Sequence, residues 1–229
     1  MSVFAIGDLH LPGGDDKPMN VFGPHWEGHW EKIRADWLDR VTEPDVVLIP
    51  GDISWAMQLS DALPDLRAIG ELPGRKILLR GNHDYWWGAI SRVRDALPAG
   101  MYALQNDALL LDGITYCGSR GWTNPQQGSA EDARLYEREL ARLRLSLERA
   151  RQLNPAGRMV ALTHFPPLGE GGAETPVSDM MAEYGVSDVV YGHLHGASVR
   201  GAFTGEVGGV RYHFVSCDGL AFKLYQLPA

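Results

Sequence analysis

Five short apolar runs punctuate the chain, at residues 3–6, 46–49, 76–79, 159–162 and 188–191. They do not alternate with polar residues, they are rich in β-branched types, and each gives way to Gly, Pro or Thr within two residues. That pattern predicts central strands covered on both faces. Residues 30–41 and 61–69 carry helical spacing between the first three runs, so the first half reads as repeated β-α-β. A longer helix is predicted after Ser129. Ser129 and Asp132 form a capping-box-like start, and Tyr136, Leu140, Leu143 and Leu147 then recur on one face. Its arginines, among them Arg134, Arg138, Arg142 and Arg149, read as a solvated face paired with Glu131, Glu137 and Glu148. Two hairpins are expected around Asp-Gly turns. One pairs residues 109–111 with 114–117 across Asp112-Gly113, and the other pairs residues 210–215 with 221–225 across Asp218-Gly219.

These elements predict a mixed α/β protein with two sheets and helices outside them, in one domain spanning residues 1–229. At 229 residues and 45% hydrophobic content a sizeable core is available. The formal charge of −8 argues against broad contact with nucleic acid or an anionic membrane. It does not argue against an anionic substrate, because bound metal reverses the local field. Cys117 and Cys217 lie among apolar strand-like residues and read as reduced core thiols. The amino terminus has neither a basic start nor a long apolar run, and no stretch approaches the ~18 apolar residues of a membrane span. The expectation is a cytoplasmic protein without a membrane partner.

The chemistry gathers behind the five runs, as Gly7-Asp8-Leu9-His10, Gly51-Asp52, Gly81-Asn82-His83-Asp84, Thr163-His164 and Gly192-His193-Leu194-His195. Taken singly, a Gly-Asp after a strand is usually a turn, and a lone His is usually a satisfied surface or core residue. The Asp-x-His and His-x-His pairs weigh more, since alternate residues of an extended segment point the same way and can chelate one ion. In an open α/β sheet the carboxyl ends of the strands face a common crevice, so five such clusters can converge.

In this order, the five motifs resemble those of the calcineurin-like metallophosphoesterase superfamily, over residues 7–195. The resemblance implies a four-layer α/β/β/α sandwich of two mixed sheets flanked by helices, and a pair of divalent transition-metal ions: Mn, Fe, Zn, Co or Ni. Carried over, it puts Asp8, His10, Asp52 and His195 around one metal. Asp52 then bridges to a second, completed by Asn82, His164 and His193. It also implies phosphate-ester hydrolysis through a metal-bridging hydroxide. Two dications set against two carboxylates and a hydroxide leave one net positive charge, which suits a phosphodiester monoanion. His83 is the candidate acid for the departing alkoxide, with Asp84 orienting its ring.

The residues after Asp52, Ile53-Ser54-Trp55, depart from the Asp-Arg pair of the Ser/Thr protein phosphatases, and His83 stands where lipid A pathway hydrolases carry Arg. The chain looks more like the small bacterial phosphodiesterase-type members, acting on small-molecule or nucleotide-type diesters. The alternatives are a phosphomonoesterase or protein phosphatase, a DNA nuclease of the same fold, or a non-catalytic scaffold such as the retromer subunit resembling this family. Around the site, His25 and His29 either shape the substrate pocket or cap the following helix. Arg120 is the candidate clamp for a phosphate oxygen. Tyr85, Trp86 and Trp87 either anchor the next helix or line the pocket wall. No oligomeric state is legible.

Overall fold

The computed structural model describes residues 1–14, 19–124 and 128–229. In chain order its regular elements begin with β1 (Val3–Ala5), α1 (His29–Arg40), β2 (Val46–Ile49), α2 (Leu59–Gly70), β3 (Arg75–Leu79), α3 (Ile90–Ala96) and β4 (Met101–Leu104). They continue with β5 (Ala108–Leu111), β6 (Ile114–Gly118), α4 (Ala130–Leu153), β7 (Arg158–Leu162) and α5 (Pro176–Glu183). The last are β8 (Asp188–Tyr191), β9 (Gly205–Val207), β10 (Val210–Phe214) and β11 (Tyr225–Gln226). All five apolar runs are strands, and the three expected helices are present within two residues of their expected starts.

The chain divides into two compact units, Met1–Ala103 with Val215–Ala229, and Leu104–Phe214. Each is built on one mixed sheet with its helices, which gives the α/β class. The first unit holds a sheet of order β11-β1-β2-β3-β4 among the described residues. β1, β2 and β3 are parallel, with Ala5 opposite Leu48 and Leu48 opposite Ile77. Every residue of β2 is buried, and Val47 and Ile49 share one core with Ile33 and Trp37 of α1 and Leu66 and Ile69 of α2. Fully burying side chains of this size contributes about 1.5–3 kcal/mol each. The parallel register brings the loops that follow β1, β2 and β3 off the same edge of the sheet, and these carry Asp8 to His10, Asp52, and Asn82 to Asp84.

The second unit holds a sheet of order β5-β6-β7-β8-β10-β9. The Asp112-Gly113 hairpin forms with Leu111 opposite Ile114. Both turn residues have positive φ, 48° and 81°, as the tight hairpin turn requires. α4 begins at the expected capping box, in which the Ser129 hydroxyl accepts from the Asp132 amide and the Asp132 side chain accepts from the Ser129 amide. Its Leu143 and Leu147 pack with Met180 and Met181 of α5 and with Val189 and Tyr191 of β8.

The second hairpin differs from expectation. β10 pairs in parallel with β8 and antiparallel with β9, across Gly208-Gly209. Residues 221–225 do not return along it, because Ala221 and Phe222 take φ of 52° and 61° and break the extended backbone. Tyr225 and Gln226 instead pair with β1. Cys117 and Cys217 are buried free thiols, and burial pushes Cys117 up to about 12. No helix among the described residues is long and apolar enough to cross a membrane.

At the amino-terminal ends of β7, β8 and β10 sits the buried carboxylate of Asp188. It accepts from Arg158 (3.0 Å), Arg211 (3.0 Å), Ser187 (2.8 Å) and Nε2 of His213 (3.0 Å). Burial alone would raise its pKa, but the bonds from His213, Ser187, Arg211 and Arg158 outweigh burial and hold the carboxyl well below the usual range. A group depressed in the folded state contributes its stability above the unfolded value of about 4 and loses it as pH falls through the folded value. Asp188→Asn should therefore lower unfolding stability at pH 7 by about 3–4 kcal/mol, the lower part of the range for a broken buried pair because both arginines keep some hydration. Denaturant titrations should show the gap between variant and wild type narrowing below about pH 4.

Candidate functional site

In the first unit, the loops after β1 and β2 run side by side as a backbone zipper. The Asp8 amide donates to Gly51 (2.9 Å), His10 to Asp52 (3.0 Å), Leu11 to Ile53 (3.0 Å), and Trp55 back to Leu11 (2.9 Å). Asp8, His10 and Asp52 adopt φ of 58°, 46° and 51°, a left-handed backbone uncommon outside glycine. Strain of this kind persists only where neighbouring bonds over-determine it, and it collects at functional sites. The side chains it turns inward are buried. Nε2 of His10 lies 3.9 Å from Oδ2 of Asp52. Oxygens of Asp8 and Asp52 approach within 4.8 Å, as do ligand atoms of Asp8 and His10.

The loop after β3 is locked onto this zipper. The His83 amide donates to Oδ1 of Asp52 (2.8 Å). Glycine is the only residue type that fits position 81, since a Cβ on Gly81 would fall 2.1 Å from Oδ1 of Asp52 and 2.3 Å from its amide nitrogen. Asn82 follows, half-buried.

Asp84 differs from its expected role. Its Oδ1 accepts from the Ile53 amide (2.9 Å), the Ser54 amide (3.2 Å) and the Trp86 indole (3.0 Å), and its Oδ2 from the Gly81 amide (2.8 Å). With both oxygens so engaged it fixes the backbone of two loops, not the His83 ring. Nδ1 of His83 is buried without a hydrogen-bond partner among the described residues. Burial and the nearby charge of Asp52 push Asp84 up to about 6. A second buried carboxylate, Asp65 of α2, accepts from the Gly13 amide (2.8 Å) and the Ser54 hydroxyl (2.6 Å) and ties the loops after β1 and β2 together from the helix side.

In the second unit, His164 and His193 follow β7 and β8. Nδ1 of His193 lies 3.2 Å from Nε2 of His164, a spacing met by a shared proton or by lone pairs turned to one cation. The Gly192 amide donates to the His164 carbonyl (3.2 Å), His193 takes φ 75°, and the Phe165 ring packs on His193 at 4.2 Å. His195 stands half-buried at the start of the turn Gly196–Gly201.

The substrate-contact expectations fare unevenly. His29 gives its Nε2 to the Leu9 carbonyl (3.0 Å), and burial lowers its pKa. It thus braces the Asp8-to-His10 loop from the first turn of α1. His25 is exposed, with its ring 6.1 Å from that of Trp26. Arg120 faces Glu139 (4.0 Å) and lies over the Trp122 ring (4.8 Å), while its carbonyl accepts from the amides of His164 and Phe165. The guanidinium is therefore engaged by its own unit, and it is the Arg120 main chain that positions His164. Trp86 and Trp87 are buried in the core of the first unit, whereas Tyr85 is exposed.

Residues 1–197 match the family model described as calcineurin-like phosphoesterase. The chain belongs to this family. A curated relative, the gene 66 protein of Mycobacterium phage D29, is 30% identical over 207 residues, which is 89% of this chain and 83% of the relative. Among solved structures, TT1561 of Thermus thermophilus superposes with a TM-score of 0.60 at 13% identity, over 98% of this chain and 96% of that one. The phosphopantetheinyl hydrolase of Mycobacterium tuberculosis gives 0.59 at 16% identity, over 99% and 95%. AQ665 of Aquifex aeolicus, a protein of unknown function, gives 0.51 at 16% identity, over 98% and 95%. At such identities these likenesses speak for the fold alone.

As a calcineurin-like phosphoesterase the protein is a metal-dependent phosphoester hydrolase, and the family's centre is typically dinuclear. The donors present fit a cation. Asp8 and Asp52 are both buried and within 4.8 Å of each other, so the two carboxylates repel strongly unless positive charge lies between them. Sequence reasoning missed Asp65 and the backbone amides that Asp84 holds. A signal for Asp65 existed: with Ala62, Leu66 and Ile69 it occupies the buried stripe of α2, where an unpartnered carboxylate would be costly. Gly81→Ala should displace Asp52 and cut metal uptake at least tenfold. Elemental analysis after reconstitution and a thermal melt check this, and unchanged metal content would show that the loop yields to the methyl group.

Proposed function

We propose that the protein is a phosphodiesterase for small-molecule or nucleotide-type diesters, working with two divalent transition-metal ions. Asp8, His10, Asp52 and His195 would hold one, and Asp52, Asn82, His164 and His193 the other. Support comes from a family match that spans all of these positions and from a donor set of carboxylate, amide and imidazole without thiolate, which suits Mn, Fe, Zn, Co or Ni. When bound, such a pair supplies a nucleophile at neutral pH and polarises the phosphoryl oxygens.

The chain's own residues do the rest. Asp52 holds the His83 main chain by direct acceptance of its amide, so ligand and proton donor move as one piece. The single observation that carries the reading is the place of His83, whose amide is held by Asp52 and whose ring stands 5.9 Å from that of His10. There it would give a proton to the departing alkoxide, a need that is greatest when the leaving alcohol is poor. A single net positive charge matches a diester monoanion better than a monoester dianion. The acidic balance argues against nucleic acid as substrate, and two reduced thiols suit the cytoplasm.

The purified protein should carry near two metal equivalents and turn over bis-p-nitrophenyl phosphate faster than p-nitrophenyl phosphate. No metal after reconstitution, or no hydrolysis of either ester, would sink this reading. His83→Ala should keep both metals and lose about 10²–10⁴-fold in turnover, least with the best leaving groups. A substrate panel should hold nucleotides, cyclic nucleotides, head-group diesters and a phosphopantetheinyl diester, since a protein of this fold is named for hydrolysing the last group.

A further inference from the structure

Trp55 occupies no ligand position, yet its indole touches both functional imidazoles of the first unit. It stacks on His10 with centroids 4.8 Å apart and planes 19° apart. It meets His83 at 4.7 Å and 50°, and the two imidazoles are themselves 5.9 Å apart. The indole is pinned in turn. Its N–H donates to the thioether of Met19 (3.2 Å), and its amide donates to the Leu11 carbonyl (2.9 Å). The two residues before it, Ile53 and Ser54, are held by Asp84.

Such a contact matters because a histidine ligates or donates only along an in-plane nitrogen direction, while its second side-chain torsion is broad and soft. A ring held by a hydrogen bond at its other nitrogen needs no further guide. His83 lacks that guide, since its Nδ1 has no partner among the described residues and the adjacent Asp84 is spent on backbone amides. A flat, tethered neighbour is what remains to set its plane.

We propose that Trp55 is a positioning residue, whose Met19-tethered indole sets the ring planes of His10 and His83 relative to each other and so couples a metal ligand to the proton donor. The proposal rests on the phosphodiesterase reading for its kinetic consequence, but its effect on metal affinity does not. Trp55→Leu fills much of the space without a flat face, and Trp55→Phe restores the face without the tether. Trp55→Leu should weaken manganese binding, measured by calorimetry, about 10-fold. It should also lower kcat about 10-fold with KM little changed, and the loss should grow as the leaving alcohol becomes poorer. Trp55→Phe should recover most of both, and Met19→Leu should show a smaller loss in the same direction. The proposal is overturned if Trp55→Leu shifts only the thermal midpoint while manganese affinity and leaving-group dependence stay wild type, or if Trp55→Phe is as impaired as Trp55→Leu. Should the wild-type protein hydrolyse no ester, the manganese titrations alone decide the matter, and the failure belongs to the proposed substrate class.

Discussion

The arrangement of the first unit depends on one electrostatic constraint: Asp8 and Asp52 are buried with their carboxylates within 4.8 Å of each other. In a medium of low polarity that proximity is strongly unfavourable for the protein alone, and it becomes favourable when a cation is shared. Much of the surrounding structure exists to enforce it. The backbone zipper fixes the two loops at one register, left-handed dihedrals at Asp8, His10 and Asp52 turn the donors inward, and Gly81 permits an approach that any side chain would block. A site prepared in this way loses little by reorganisation when its ion arrives, which is the benefit of preorganised electrostatics.

Five aspartates of this chain show how neighbours assign different work to one functional group. Asp8 and Asp52 present oxygens inward as candidate ligands. Asp84 and Asp65 turn theirs to amides and a hydroxyl, holding the loops that carry those ligands. Asp188 meets two arginines and a histidine, and serves the packing of the second sheet. The direction of each acidity shift follows from the partners. Burial beside Asp52 raises Asp84, whereas cationic and hydroxyl donors overcome burial at Asp188.

Imidazoles divide in the same manner. His29 braces a carbonyl and His213 a carboxylate, so both are structural. His164 and His193 turn ring nitrogens toward each other, and His83 keeps a buried nitrogen without a partner among the described residues. Residue type and burial do not separate these roles; the groups that each ring meets do.

Sequence alone determined the five core strands, the helices at residues 30–41, 61–69 and after Ser129, the Asp112-Gly113 hairpin, and the ordered motifs that mark the family. These are written in local periodicity, turn chemistry and spacing, which act over a few residues. Only the tertiary structure decided that residues 221–225 leave β10, since the competing partner, β1, stands at the opposite end of the chain. It likewise decided that Asp84 answers Ile53 and Ser54 in place of its neighbour His83, and that Trp55 stands against His10 and His83. Such choices are made between loops brought together by the parallel sheet, where the nearest unanswered donor or open ring face wins regardless of its distance in sequence.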